Sequence, residues 1–283
     1  VLNEKAFTMR LPPTGQSLPL VFDSPHSSCR FPAHPLLAVS DAQLKTGWDA
    51  FVDELWQPSV GKGATLLAAN FSRMYIDPNR AATDIDAALL AAPWPGELSP
   101  TPYSGRGMGL IRRLALPEVP MYSAPLTVAD VQQRIAEYYQ PYHEALAERL
   151  QVLHAEFGSV WHVDCHSMKS TGNAMNIDAG VARPDVVVSD ACGTTASSDF
   201  TQMVATEFER LGLRVALNHP YQGGYIVRRY GAPANGVHSI QIELNRALYM
   251  HEAEFEKSAN FAQLQQALAQ VTEAILEYIK ANT

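Results

Sequence analysis

Val160-Trp161-His162-Val163-Asp164-Cys165-His166-Ser167-Met168 is the stretch on which the fold turns. Val160–Val163 is an apolar, β-branched run and predicts a buried strand. Side chains alternate along a strand, so His162, Asp164 and His166 share one face if the strand persists that far. Three polar groups facing a core each need a partner. A metal site backed by carboxylates meets that need; a solvent-facing edge strand is the alternative. The apolar neighbours Val160, Trp161 and Val163 favour a central strand.

Outward from this stretch, similar runs predict strands at Leu18–Phe22, Ala64–Ala69, Val186–Val188, Val215–Leu217 and Val237–Ile242. Helical periodicity marks Asp41–Trp56, Val128–Phe157, Asp199–Leu211 and Glu252–Ile279, with Gly158 and Gly212 as C-terminal stops. Strands alternating with helices predict a single α/β domain over residues 1–283, with a mixed sheet and helices on both faces. Residues 81–125 break the pattern. They hold Pro93, Pro95, Pro100, Pro102, Pro117, Pro120 and Pro125, and read as an irregular excursion with one short strand near Leu110–Arg113. Ordered loops of this length serve as lids or pocket walls. A solvated linker is the alternative, but the apolar Met108–Leu116 points to packing against the body.

Composition narrows the function. The chain has 283 residues, 47% hydrophobic and 18% charged, enough for a sizeable core without disulfides. Its formal net charge is −8 and no Lys/Arg block occurs, which argues against nucleic acid and a polybasic membrane patch as partners. No signal segment or bilayer-length apolar run is visible. The three cysteines, Cys29, Cys165 and Cys192, form no Cys-x-x-Cys pair. Free buried thiols in a reducing cytoplasm are the simplest reading. Oligomeric state is not legible.

Chemistry-bearing residues cluster at strand ends, where open α/β sheets place ligand sites. Asp23-Ser24-Pro25-His26-Ser27 follows the first strand and presents the His26 imidazole from a tight turn. Gln241-Ile242-Glu243-Leu244-Asn245-Arg246 ends another. Glu243 there is either a general base activating water or the partner of Arg246 in a structural ion pair. Phe71–Arg80 carries Arg73 and Arg80, whose guanidinium groups suit an anionic small molecule. Gly223 and Gly224 permit close approach of backbone to a ligand. Nucleophile-elbow, P-loop, dinucleotide-binding and His-Glu-x-x-His motifs are all absent.

Five strings together resemble the N-formylglutamate amidohydrolase family: Asp23–Ser27, Ser72–Arg80, His162–Ser167, Pro220–Tyr225 and Gln241–Met250. The likeness runs from about residue 15 to about residue 255. It implies hydrolysis of N-formyl-L-glutamate to formate and L-glutamate in histidine degradation. It also implies a phosphorylase/hydrolase-like α/β fold, similar to zinc carboxypeptidases and aspartoacylases. Relatives of that fold bind zinc through His, an acid and His, with a later Glu as base. The resemblance thereby implies His26 and His166 as ligands and Glu243 as base, with Asp164 next in line. The chain departs at the second ligand, where those relatives have Glu three residues after the first His and this chain has Cys29. An acid from the helix around residues 47–54 takes that place, Asp49 ahead of Asp53 and Glu54. Arg73, Arg80 or Arg246 would grip the substrate carboxylates, with Tyr225 closing over the formyl group. Two rival readings are an amidohydrolase for another N-acyl amino acid or cell-wall amide, and a silent ligand-binding protein.

Overall fold

The computed structural model describes residues 2, 3, 5–174, 176 and 178–283. In chain order the elements that frame the sheet are β1 (Leu2–Asn3), β2 (Phe7–Arg10), β3 (Leu20–Ser24), α1 (Asp41–Lys45), α2 (Val52–Trp56) and β4 (Thr65–Ala69). The excursion contributes α3 (Pro102–Gly105), β5 (Leu114–Leu116) and β6 (Val119–Pro120). Then come α4 (Val128–Arg134), α5 (Gln140–Phe157), β7 (Val160–Met168), β8 (Val186–Ser189), α6 (Ser198–Arg210), β9 (Val215–Leu217), α7 (Tyr225–Tyr230), β10 (Val237–Asn245) and α8 (Phe261–Asn282).

Eight strands form one mixed sheet in the order β1-β2-β4-β3-β7-β10-β8-β9. The centre, β4-β3-β7-β10, is parallel; β2 and β8 join it antiparallel. Parallel strands are buried on both faces, and β7 is buried along all nine residues. Its side chains divide by parity. Trp161, Val163 and Cys165 join a core with α2, α6 and α8, as do Ile240, Ile242 and Leu244 of β10. The opposite face carries Val21 and Val160 into a second core with α5 and the excursion. His162, Asp164 and His166 share the parity of Val160, and Ser239, Gln241, Glu243 and Asn245 are out of step with the apolar residues of β10. One face of the sheet centre is therefore polar along two adjacent strands. The register sets Gln241 beside Asp164 and Glu243 beside His166.

Three expected elements come out differently. Asp41–Trp56 is two short helices and not one. A Cβ on Gly47 would meet Met74 Sδ at 2.4 Å, and Phe51 sits at φ 63°. The Asp49 N–H bonds the His26 carbonyl at 3.0 Å, tying the break to the end of β3. Asp49 and Asp53 thus share no helical face. The last helix starts at Phe261, after a small hairpin pairing Met250–His251 with Glu256–Lys257. The excursion's strands lie at Leu114–Leu116 and Val119–Pro120, not at Leu110–Arg113. Leu110, Ile111 and Met121 bury fully in the α5-side core, so the segment is a packed wall and not a linker. Between α4 and α5 the helix continues as a π turn over Ile135–Tyr139. It precedes Pro141, which has no N–H to give the ladder.

Of the thiols, only Cys165 is buried; Cys29 and Cys192 are exposed, contrary to expectation. Among the described residues no helix is long and apolar enough to cross a membrane.

Ile275 of α8 is fully buried on the apolar side of the sheet. Ile275→Ala is expected to lower stability by about 2–5 kcal/mol, read from the denaturant midpoint, with catalytic constants unchanged because that face carries no polar row.

Candidate active site

The turn after β3, the break between α1 and α2, and the end of β7 deliver His26, Asp49 and His166 to one point. One ligand atom from each lies within 4.8 Å of the others. Asp49 Oδ2 is 3.5 Å from His26 Nδ1 and 3.2 Å from His166 Nδ1. All three side chains are nearly inaccessible, 1–3% exposed. The remote imidazole nitrogens each meet further side chains: Asp77 hydrogen-bonds His26 Nε2 at 2.7 Å, while His166 Nε2 lies 2.8 Å from Asp164 Oδ1 in an ion-pair contact and 3.2 Å from Asn79 Nδ2. This is the second layer expected behind imidazole ligands, fixing tautomer and ring orientation.

The donor set fits a divalent cation. His26 Nδ1 is buried without a hydrogen-bond partner and faces Asp49. A buried polar atom in that state is costly, and a cation between two imidazole nitrogens and a carboxylate oxygen satisfies it. Asp53 and Glu54 lie elsewhere: Asp53 approaches Arg10 and Glu54 pairs with Lys257. Cys29 is exposed and outside the cluster.

Electrostatics keep the acids charged. Burial alone would push the Asp49 carboxyl up, but His166, His26 and Arg246 hold it well below the usual carboxylate range. Asp77 is buried likewise, and Arg73 and His26 overcome that penalty. For His166, burial works against protonation, and Asp164 with Asp49 more than reverses it.

Glu243 faces the same cavity, which has a volume of about 170 Å³ and also touches Arg112, Tyr221 and Lys169. Its Oε1 accepts from Gln241 Nε2 at 2.9 Å. Burial, with the nearby Asp49 charge and against the pull of His166, pushes its carboxyl up to about 7. The expected alternative of a Glu243–Arg246 ion pair is not what forms. Arg246 instead donates to Asp49 Oδ1 at 2.8 Å and Ser167 Oγ at 3.1 Å.

The other sequence candidates divide. Asp164 is fully buried behind His166 and does not line the cavity, which sets it apart from the base position. Arg73 lines the cavity but is bound by Asp77 through two nitrogens. Arg80 lines it too, donating to the carbonyls of Met108 and Asn79 and stacking 4.0 Å from the Tyr103 ring. Gly223 and Gly224 both line it; the Gly224 N–H donates to Gln241, and a Cβ there would strike Asn79 at 2.4 Å. Tyr225 does not come to the cavity. It opens α7, receives a hydrogen bond from Arg229 and packs its ring against His143. Tyr221, four residues earlier, takes the place at the wall.

Three contributors escaped sequence reading. Asp77 and Asn79 lie in a string singled out for its arginines, yet they position His26 and His166. Arg112 comes from the excursion, where no periodicity singles out one arginine. It is 8% exposed, lines the cavity, and its Nε is buried without a partner.

Comparison with known proteins gives the family. The N-formylglutamate amidohydrolase family matches residues 18–250. The N-formylglutamate deformylase of Pseudomonas aeruginosa is 30% identical over 271 residues, covering 92% of this chain and 94% of that one. The enzyme of the same name from Pseudomonas putida is 27% identical, covering 92% and 93%. The crystal structure of an N-formylglutamate amidohydrolase from Ralstonia eutropha JMP134 superposes with a TM-score of 0.94 at 42% identity, over 99% of this chain and all of that one. With the family match running over residues 18–250 and the superposition covering 99% of the chain, this chain belongs to the N-formylglutamate amidohydrolase family.

Proposed function

We propose that this protein hydrolyses N-formyl-L-glutamate to formate and L-glutamate, with a zinc ion held by His26, Asp49 and His166. The observation that carries the reading is the juxtaposition of that trio with an unpaired buried glutamate on the adjacent strand. Two imidazoles and one carboxylate leave room in a four-coordinate zinc shell, the pattern of catalytic zinc sites. When bound, the metal acts as a Lewis acid toward a carbonyl oxygen and acidifies water.

The chain's own groups do the rest. Asp77 on His26, and Asn79 with Asp164 on His166, hold the two imidazoles so that each Nδ1 faces the Asp49 carboxylate. Arg246 takes the other Asp49 oxygen, leaving Oδ2 directed at the histidines. Glu243 has Oε1 engaged by Gln241 and Oε2 free of side-chain partners among the described residues. Oε2 takes the proton from the attacking water as its oxygen adds to the formyl carbon. It returns that proton to the amine nitrogen as the C–N bond breaks. A carboxyl whose proton affinity lies near neutrality suits a group that must both accept and donate. The small cavity and its cationic wall favour a short acyl group on a dicarboxylate. Side-by-side assay of formyl, acetyl and succinyl glutamate tests this. Faster turnover of either larger acyl group would assign the site to another N-acyl amino acid.

Two further outcomes follow from this assignment. His26→Ala, His166→Ala and Asp49→Ala are expected to purify folded with under half the wild-type metal by elemental analysis. Asp53→Ala and Glu54→Ala should retain it in full. Full metal in folded Asp49→Ala would remove that carboxylate from the ligand set.

Glu243→Gln preserves size and the hydrogen bond at Oε1 but cannot carry the proton. Folded, metal-loaded protein with turnover reduced by roughly 10²–10⁴ is expected. Near-normal turnover would take Glu243 out of the mechanism.

A further inference from the structure

The cavity wall carries more positive charge than its own acids absorb. Arg73 is bound to Asp77, Arg246 to Asp49 and Arg183 to Asp178. Arg112 makes no side-chain hydrogen bond or ion pair with any described residue, although it is 8% exposed. Burial, reinforced by Arg73 and Arg80, pushes its guanidinium down to about 9, still charged at neutral pH.

An isolated buried charge is strongly unfavourable. Chain flexibility does not relieve this one. Leu110 and Ile111 are fully buried beside it, and Leu110 is bonded through its N–H to Asp84 and its carbonyl to Asp77. The fold therefore holds a cation rigidly at the cavity with its counter-ion missing. Bidentate binding of a carboxylate is what a guanidinium in that state is built for.

We propose that Arg112 is the anchor for a carboxylate of the substrate, and that the long excursion packs against the body in order to deliver it. The assignment rests on the reading of the substrate as N-formyl-L-glutamate. It displaces Arg73 and Arg246 from that role, because both already hold carboxylates of the site. Arg80, which donates only to backbone carbonyls, and Lys169, half-buried and outside any ion pair among the described residues, are the competing candidates on the same wall.

The test compares wild type, Arg112→Met, Arg80→Met and Lys169→Met as metal-loaded proteins. Thermal midpoints are measured with and without L-glutamate, and KM and kcat with N-formyl-L-glutamate. Arg112→Met is expected to melt higher than wild type without ligand, since an uncompensated charge has been removed. Its midpoint should no longer rise with L-glutamate. KM should increase roughly 10- to 100-fold, the loss typical of a charged hydrogen-bonded contact, with kcat changed much less. Wild type and Arg112→Met should become alike on one of two analogues, N-formyl-L-glutamine or the α-amide of N-formyl-L-glutamate; which one names the carboxylate held.

A structural role for Arg112 predicts the reverse: a lower midpoint, an intact glutamate shift and an unchanged KM. That result, or a KM effect confined to Lys169→Met or Arg80→Met, overturns the proposal. If Arg112→Met does not fold, Arg112→Lys keeps the charge but loses the fork, and an unchanged KM there overturns it equally. Failure of the substrate reading looks different, because wild type itself would then leave N-formyl-L-glutamate intact.

Discussion

The Asp49 carboxylate is the constraint around which the site is assembled. It is buried, and it joins three other parts of the chain: Arg246 after β10, Ser167 and His166 of β7, and His26 after β3. Removing one partner from such a buried pair typically costs about 3–5 kcal/mol, because the remaining charge is left without compensation. The break between α1 and α2 exists to place this carboxylate. A continuous helix would have bonded the Asp49 N–H internally; here it bonds the His26 carbonyl. The local departure from regular structure and the position of the acid are one feature.

The Arg246–Asp49 pair also frees Glu243. Two carboxylates close together cannot both stay ionised at little cost. His166, His26 and Arg246 together keep Asp49 charged, while Glu243 is left with an amide neighbour and a raised proton affinity. The two acids diverge because their partners differ, the general means by which one site supports both a permanent anion and a proton carrier. Arg112 belongs to the same account. It is held near Glu243 and Asp49 but bonded to neither, so its charge is directed at the cavity.

Much of this was legible before any coordinates. Parity along β7 and β10 placed His162, Asp164, His166, Gln241 and Glu243 on one face, because alternation is a local property of a strand. The choice of Asp49 over Asp53 and Glu54 came from the family resemblance and not from periodicity, which placed Asp49 and Asp53 together on a helix that does not form. Tyr225 lies away from the cavity for a similar reason. The string Tyr221–Tyr225 offers two tyrosines, and the start of α7 turns the second toward His143. Arg112 was invisible because the excursion has no repeating pattern, so the depth and aim of a side chain there depend on tertiary contacts alone.

The three histidines of the polar face show why sequence proximity does not decide which imidazole takes part in chemistry. His162 has the residue type, the strand and the parity of His166. Its Nε2 meets Asp23 at 2.8 Å and its Nδ1 meets Ser239 at 2.7 Å, while Tyr142 donates to the other Asp23 oxygen at 2.6 Å. The arrangement pairs a serine, a histidine and an aspartate in the order of a nucleophilic triad, yet all three are 0% exposed and none lines the cavity. Without access for a substrate it is a closed polar network, and closed networks rigidify a core. His26 is the opposite case, with Nε2 engaged and Nδ1 left without a partner. His162 has both nitrogens engaged inside a network that the cavity does not reach. His26 and His166 both line the cavity and meet at the Asp49 carboxylate, so access to that point separates the ligands from the strut.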